Sequence, residues 1–200
     1  MDLAPLRDIL PAHCLLAEPE DTRPFECDGL TLIRQQPPVV ALPETRGQLV
    51  ALLRHCHAQG IPVVPRGAGT GLAGSATPLS DGVLLSMAKF TRILKVDVES
   101  RTAIVEPGVR NLAISEAAAP YGLYYAPDPS SQIACSIGGN VAENAGGVHC
   151  LKYGLTVHNV LKLEVLSMEG ERMTLGADAL DAPGFDLLVL FNGSEGLLGI

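Results

Sequence analysis

Three dense clusters of glycine constrain this chain more than any other feature. The 200-residue sequence contains 21 glycines, and many of them fall in the segments Arg66–Gly74, Pro127–Gly147 and Gly193–Ile200. A glycine inside a helix or strand costs about 0.5–1 kcal/mol relative to alanine, and ordinary tight turns use glycines singly. We therefore interpret the clusters as places where the backbone lies directly against a ligand.

The first cluster, which we name the glycine loop, follows a β-branched strand and spans Arg66–Gly74. In such a loop successive backbone N–H groups can point toward one place, and a nest of this kind binds anions such as a pyrophosphate. Thr70 and Ser75 can add hydroxyl donors, and Arg66 can add positive charge if its side chain turns inward. The glycine loop therefore predicts a phosphate-binding element.

The glycine loop also contains the G-x-G-x-x-G pattern of NAD-binding Rossmann proteins, at Gly69–Gly74. That alternative requires a helix directly after Gly74. Pro78 and the polar, glycine-bearing Ser80–Gly82 interrupt any helix there, and an apolar strand, Gly82–Met87, follows. The context favours a different nucleotide fold.

The second cluster, the small-residue strip Pro127–Gly147, consists mostly of hydroxyl, amide, proline and glycine residues. Small residues let backbone amides lie against a flat polar ring, and we expect no hydrophobic core to be built from them. A heterocycle or a ribityl chain could bond to the polar side chains of Asp128, Ser131, Ser136, Asn140 and Asn144. In the third cluster Glu195 is a candidate acceptor for a ribose hydroxyl.

Composition excludes several other classes. The net charge of -8 and the scattered Lys and Arg argue against nucleic-acid binding. The longest apolar runs are too short to span a bilayer, and Met1–Leu10 does not resemble a signal peptide, so we expect a cytoplasmic protein.

The five cysteines contain no C-x-x-C pair and are interpreted as reduced thiols, with Cys14 and Cys27 as small buried hydrophobes. The His55–His57 segment lies in a predicted helix with unsuitable ligand spacing, and no metal site is assigned.

The order of predicted elements indicates an α+β fold. A helix over Glu44–Gln59 lies between strands at Val39–Leu42 and Ile61–Val64. Two hairpins follow, at 93–105 and 160–175, with a helix at Asn111–Ala119 between them and a loop from Asn144 to His158. We predict an N-terminal arm at 1–38 and one domain at 39–200, with lobe one at about 39–105 and lobe two at about 106–200.

The three clusters together resemble the FAD-binding domain of the vanillyl-alcohol oxidase and p-cresol methylhydroxylase flavoproteins. The closer resemblance is to the FAD-binding catalytic subunits of bacterial glycolate oxidases, and it covers nearly the whole chain. It includes Pro24–Leu30, Arg66–Gly74, Val105–Ile114 and, as the most specific part, Tyr124–Asn159. The resemblance implies two α/β lobes with FAD between them and a C-terminal cap domain that is absent here.

The resemblance also implies which residues hold FAD. The loop that wraps the pyrophosphate corresponds to Arg66, Gly67, Ala68, Gly69, Thr70, Gly71 and Leu72. The strip along the flavin and the ribityl chain corresponds to Asp128, Pro129, Ser131, Cys135, Ser136, Gly138, Gly139, Asn140, Asn144 and Gly147. The adenosine half corresponds to Glu195, Gly199 and Ile200. Members that attach flavin covalently through the loop have His after its second glycine, whereas Thr70 stands there, so dissociable FAD is expected.

The implied reaction is FAD-dependent oxidation of a small 2-hydroxy acid, glycolate or D-lactate, to the 2-oxo acid. The family's substrate and metal residues lie in a later part of the chain, so this fragment is expected to be inactive alone, and His149 and His158 are expected to be structural. Implied partners are a second flavin-type subunit and an iron–sulfur subunit, in a complex associated with the inner face of the membrane. An FAD-free or catalytically idle binding module and a NAD-dependent Rossmann enzyme are the alternatives.

Overall fold

The computed structural model describes residues 2–178 and 184–200. Within them the α-helices are α1 Ala4–Ile9, α2 Pro19–Thr22, α3 Arg46–Gln59, α4 Asn111–Ala118, α5 Ile137–Glu143, α6 Cys150–Tyr153 and α7 Leu187–Phe191. The strands are β1 Leu15–Leu16, β2 Val40–Ala41, β3 Val63–Arg66, β4 Val83–Ser86, β5 Ile93–Asp97, β6 Thr102–Val105, β7 Lys162–Leu166 and β8 Arg172–Gly176. Short 3-10 turns lie at Ala12–Cys14, Arg23–Phe25, Ala119–Tyr121 and Thr156–Asn159.

The chain forms two compact units. Unit 1 comprises Met1–Lys89, Val165–Met173 and Gly199–Ile200. Unit 2 comprises Phe90–Glu164 and Thr174–Leu198. The division into an arm at 1–38 and two lobes that meet near residue 105 stays a prediction.

Unit 1 is built on a four-stranded sheet in the order β1-β2-β4-β3. Strands β2 and β3 are both parallel to β4, whereas β1 is antiparallel to β2. The expected strand–helix–strand unit therefore exists, but β4 lies between its two strands. Val40, Val64 and Leu84 form a buried cluster on three neighbouring strands. All four residues of β4 are buried, which is typical of a central parallel strand.

Helix α3 begins two residues later than predicted because a capping box sets its first turn. Thr45 Oγ1 accepts a hydrogen bond from Gln48 N at 3.2 Å, and Gln48 Oε1 accepts one from Thr45 N at 3.2 Å. Such a box satisfies two backbone donors that a helix start otherwise leaves unpaired. The helix ends where predicted, at Gly60, which adopts a left-handed conformation with φ of 64°. Its fully buried Leu52 and Leu53 belong to the core of unit 1.

No helix follows the glycine loop: residues 75–82 are turns and coil, and β4 comes next. The Rossmann alternative is therefore wrong for this chain, because its motif must open a helix that carries the pyrophosphate.

Unit 2 contains the predicted hairpin of β5 and β6, which pair antiparallel with an irregularity between Ile93 and Lys95. Its core cluster consists of Val109, Ile114 and Ile137, with Ile93 and Tyr125 packed against it among others. Helix α4 matches the predicted helix at Asn111–Ala119. The stretch expected to be a loop, Asn144 to His158, contains the one-turn helix α6 and a 3-10 turn.

The second predicted hairpin is also present, as β7 and β8. Ser167 N donates to Glu171 O at 2.9 Å across its turn, and Gly170 has φ of 71° there. The turn belongs to unit 1, where Arg54 Nε donates to Glu169 O at 3.1 Å. No helix in residues 2–178 and 184–200 is both long enough and apolar enough to cross a membrane.

Candidate functional site

The glycine loop leaves the sheet of unit 1 at the end of β3. The last ladder bond runs from Met87 N to Arg66 O at 3.0 Å, and Gly69 then adopts a left-handed conformation with φ of 69°. Among the hydrogen bonds found in the described part of the chain, none uses an amide of residues 67–73 as its donor. Backbone N–H groups are strong donors that seek a partner, so these amides are free to bind a ligand.

The Arg66 side chain lies beneath this loop and is buried, with only 8% of the residue exposed. Its Nη1 donates to Cys27 O at 2.9 Å and Ala76 O at 3.4 Å, and the guanidinium lies 5.6 Å from the centre of the Phe25 ring. A Cβ added to Gly69 would overlap the guanidinium group. Glycine is therefore required at 69, because it brings the loop backbone directly against a buried cation.

Electrostatics at the loop favour an anion. Burial lowers the pKa of Arg66, while the negative charge of Asp28 opposes that shift. A guanidinium nevertheless stays charged in proteins. The structure thus places one fixed positive charge and a run of unpaired amides together, and this combination attracts phosphate groups.

The arm segment Cys27–Leu30 contacts the glycine loop through Cys27 O, which accepts from Arg66 Nη1. This contact was not predicted from the sequence. Asp28 is only 4% exposed, and its Oδ1 accepts from Leu30 N at 2.9 Å. Its Oδ2 is buried without a partner among the described residues. The signal in the sequence is a short Cys-Asp-Gly turn, which marks a loop but does not indicate what it packs against. Cys27 was expected to be buried, but the structure shows it partly exposed.

In unit 2 the small-residue strip is more regular than predicted. Its second half forms α5, which follows Ser136 and ends at Asn144 in a left-handed conformation with φ of 49°. Ile137 is buried in the core cluster with Val109 and Ile114. The expectation that no hydrophobic core is built from this strip is therefore wrong, because one helical turn directs Ile137 inward.

Two side chains of the strip carry buried polar atoms without a partner. Ser136 Oγ and Asn140 Nδ2 make no hydrogen bond within the described residues, although the two residues are 5% and 4% exposed. Buried polar atoms without partners are uncommon in native proteins. A ligand with oxygen and nitrogen atoms, such as a ribityl chain or an isoalloxazine ring, fits this pair because it can accept from the amide and bond the hydroxyl.

Other glycines of the strip are required by protein contacts. A Cβ on Gly147 would overlap the Asp128 carbonyl, and a Cβ on Gly138 would lie 2.7 Å from Pro107 Cβ. Close backbone packing explains these two positions without any ligand.

Asp128 is engaged by a neighbouring histidine. Its Oδ2 lies 2.6 Å from His149 Nδ1, and its Oδ1 accepts from His149 N at 3.2 Å. These hydrogen bonds hold the pKa of Asp128 below its usual value. His158 has a local structural role, since its Nδ1 accepts from Leu155 N at 3.1 Å.

The first half of the strip is anchored by Asn111, a residue that the sequence interpretation did not single out as a site residue. The buried Asn111 Nδ2 donates to Pro127 O at 3.0 Å, and Asn111 N donates to Cys135 O at 3.0 Å. Cys135 N in turn bonds Ser131 O at 2.8 Å, and Gln132 N bonds Pro129 O at 2.8 Å. The only sequence signal was an amide at the start of a helix, which is common for capping reasons alone.

The third cluster is divided between the units. In unit 2, Gly193 N donates to Val141 O at 2.9 Å and Glu195 N to Ala142 O at 2.8 Å. These bonds satisfy carbonyls at the end of α5 and bring Glu195, exposed with φ of 55°, next to the strip. In unit 1, Ile200 and Leu166 exchange two backbone hydrogen bonds of 2.9 Å, and Gly199 precedes this pair.

The predicted residues thus form two groups. Unit 1 holds the glycine loop residues together with Gly199 and Ile200, and unit 2 holds every predicted residue from Asp128 to Glu195. Ala68 and Leu72 are exposed on the loop, and Pro129 and Cys135 are buried in the strip.

Comparison with known proteins gives a consistent result. Over 198 residues the chain is 63% identical to the glycolate oxidase subunit GlcD of Escherichia coli (strain K12), covering 99% of this chain and 40% of that protein. It is 39% identical over 163 residues to a D-lactate dehydrogenase of Archaeoglobus fulgidus, covering 81% of this chain and 36% of that protein. The chain therefore spans about two fifths of the length of these relatives.

Among solved structures, alkyldihydroxyacetonephosphate synthase superposes with a TM-score of 0.81 at 22% identity, covering 98% of this chain and 40% of that one. This match shows a shared fold. The predicted resemblance and the predicted fold class are confirmed. The family of FAD binding domains matches residues 37–176. The chain belongs to this family of FAD binding domains, and its cofactor is FAD.

Proposed function

We propose that the chain is the FAD-binding part of a 2-hydroxy acid oxidoreductase and that it holds FAD without a covalent bond. The observation that carries this proposal is the run of unpaired amides at residues 67–73, above the buried guanidinium of Arg66. These groups suit the pyrophosphate of FAD. Thr70 stands where covalently linked members have His, so no imidazole is available in the loop for attachment.

In unit 2 the strip supplies complementary chemistry for the flavin half. Ser136 Oγ and Asn140 Nδ2 offer polar atoms that have no partner among the described residues. When bound, FAD supplies a ring that accepts a hydride. The protein groups named here bind and orient it.

The substrate class that we propose is a small 2-hydroxy acid, with glycolate first and D-lactate second, oxidised to the 2-oxo acid. The support is the identity to the Escherichia coli glycolate oxidase subunit, which exceeds that to the Archaeoglobus fulgidus D-lactate dehydrogenase. By the same similarity, we propose that the intact protein works in the cytoplasm as a subunit of a glycolate oxidase complex. A second flavin-type subunit and an iron–sulfur subunit would complete that complex and bring it to the inner face of the membrane.

The binding proposal is tested by adding FAD to the purified chain and recording flavin fluorescence and thermal unfolding. We expect fluorescence quenching and a raised Tm, because a ligand at one hundred times its Kd stabilises the folded state by about 2.7 kcal/mol. Acid should then release all flavin into the supernatant. Flavin that stays with the precipitated protein would contradict non-covalent binding, and unchanged fluorescence and Tm would favour an FAD-free module.

The activity proposal is tested in a chimera in which this chain replaces the matching 198 residues of the Escherichia coli GlcD subunit. We expect glycolate-dependent dye reduction, with D-lactate as a slower substrate. A matched chimera carrying Arg66→Met serves as the control and should lose the activity. A chimera that binds FAD but oxidises neither acid would contradict the substrate proposal while leaving FAD binding intact.

A further inference from the structure

Three side chains with metal-binding atoms converge in unit 1. One nitrogen of His13, the Sγ of Cys14 and one carboxylate oxygen of Glu44 all lie within 4.8 Å of one another. In residues 2–178 and 184–200 this is the single group of three or more His, Cys, Asp and Glu side chains that meets this distance. We propose that the group binds a divalent cation of the zinc class.

The spacing suits a tetrahedral ion. Zinc binds nitrogen and oxygen at about 2.0–2.2 Å and sulfur at about 2.3 Å, so neighbouring ligand atoms lie roughly 3.3–3.8 Å apart. His13 Nε2 and Glu44 Oε1 are already 3.2 Å apart. The Cys14 Sγ needs a shift of about 1 Å at most to reach the same spacing. Three protein ligands leave the fourth position to water.

The backbone that carries these ligands is firmly held. Cys14 ends a 3-10 turn, and its carbonyl accepts from Leu42 N at 2.8 Å, next to the pairing of Leu15 with Ala41. Glu44 N donates to Gln48 Oε1 at 2.8 Å. The sheet therefore brings residues 13 and 14 beside residue 44, and little ordering is left for the metal to impose.

The three ligands differ in their exposure to solvent, and this difference leaves a path for an ion to enter. Cys14 is fully buried, whereas the His13 side chain is 63% exposed and the Glu44 side chain 39% exposed. The ion can therefore enter from the His13 side and meet the thiol at the inner end. Burial raises the pKa of the Cys14 thiol, so binding must release its proton. The imidazole and thiolate ligands select a borderline-soft ion such as Zn²⁺ over Mg²⁺ or Ca²⁺.

One neighbour opposes the metal. Lys89 Nζ lies 3.5 Å from the same Glu44 Oε1 that faces His13. A cation competes with its ammonium group for the carboxylate. Removing that ammonium group should strengthen metal binding, whereas removing a ligand should weaken it. The two kinds of variant therefore change the metal affinity in opposite directions.

The test uses Co²⁺ as a spectroscopic substitute for Zn²⁺, added to the whole chain under anaerobic conditions. We expect a thiolate-to-cobalt charge-transfer band that one equivalent of Zn²⁺ removes. Cys14→Ser should abolish the band, and Glu44→Gln should weaken Zn²⁺ binding at least about tenfold. Lys89→Met should tighten Zn²⁺ binding. Because this variant keeps every ligand, it still tests the proposal if Cys14→Ser fails to fold.

Two matched controls separate this site from adventitious binding. Cys150→Ser removes another free, partly exposed thiol and should leave the band unchanged. His57→Asn disrupts an exposed pair, His57 Nε2 and Glu169 Oε1 at 3.7 Å, which has no thiol, and should leave Zn²⁺ affinity unchanged. Absence of the band in the native chain, or its persistence in Cys14→Ser, would overturn the proposal.

Discussion

The glycine loop of unit 1 and the small-residue strip of unit 2 have similar compositions but use their glycines differently. In the loop, Gly69 lets the backbone lie on the buried Arg66 guanidinium while the amides of residues 67–73 keep no protein partner in the described chain. In the strip, Pro107 occupies the space that a Cβ on Gly138 would need, and Asp128 occupies the space that a Cβ on Gly147 would need. In both regions the group that leaves no room for a Cβ belongs to the protein. The loop differs in its run of amides without a partner among the described residues, which we propose to bind a ligand.

The two regions also differ in where their polar atoms are unsatisfied. The loop offers backbone donors beside a positive charge, which suits a phosphate. The strip offers two side-chain atoms, Ser136 Oγ and Asn140 Nδ2, on and beside a helix that packs into a core. Substitutions in the loop should therefore act on FAD affinity, while many substitutions in the strip should act on stability first.

The largest expected effect is on folding, from Gly147→Ala. The new Cβ would overlap main-chain atoms of Asp128, and overpacking of this kind costs about 3 kcal/mol when backbone must move. Urea unfolding without FAD measures the loss. Gly122→Ala is the control, because Gly122 has φ of 69° but open space around it, so its cost should be only about 1 kcal/mol. Equal losses in the two variants would contradict the packing argument.

The next effect is expected from Arg66→Met, which keeps an unbranched side chain but removes the cation beneath the loop. The carbonyls of Cys27 and Ala76 lose their donor, which should cost about 2–3 kcal/mol of stability. FAD affinity should also fall by at least about tenfold, equivalent to 1.4 kcal/mol. Fluorescence titration measures it, with the exposed Arg110→Met as the control. An unchanged affinity in folded Arg66→Met would refute the proposed role of the buried charge.

A smaller effect with a distinctive sign is expected from Ser136→Ala. Without FAD, removal of a buried hydroxyl that has no partner should leave stability unchanged or raise it by about 1 kcal/mol. With FAD present, the rise in Tm should be smaller than in the native chain, because one bond to the ligand is lost. A loss of stability without FAD would show that the hydroxyl stabilises the protein itself, and would contradict its proposed role in binding FAD.

The smallest effect concerns pH and the pair Asp128–His149. Because the folded-state pKa of Asp128 is lowered by His149, its stabilising contribution is present above the unfolded value of about 3.9 and lost as pH falls through the lowered folded value. Asp128→Asn should therefore lower Tm near pH 6, and the difference from the native chain should shrink as pH drops below about 4. A difference that persists at the lowest pH would indicate a packing role and no ionic one.

Local sequence patterns predicted most elements well. Helix α3 and both hairpins lie within a few residues of the predicted limits, because apolar periodicity and turn residues act over short distances. The order of strands was not predictable in the same way. The placement of β4 between β2 and β3 goes with the burial of all four of its residues, and the chain order alone does not encode it.

The candidate site shows the same limit. The glycine loop was predicted as a phosphate-binding element from residue types alone, but the position of the Arg66 side chain depends on the arm at Cys27. The roles of Asn111 and Asp128 were likewise invisible, since their partners Pro127 and His149 are 16 and 21 residues away. The His13, Cys14 and Glu44 group was missed because β1 and β2 must pair before its members meet.

The sequence by itself determined the kind of protein: its glycine clusters, helical periodicity and family motifs indicated an α+β FAD-binding domain, since these signals are local and survive without a fold. Only the tertiary structure decided which glycines lie against the protein itself, as Gly69 does against Arg66, Gly138 against Pro107 and Gly147 against Asp128. It also decided which polar groups stay unpaired. Both depend on long-range packing, because a free amide or an unsatisfied hydroxyl is defined by the neighbours that the folded chain brings to it.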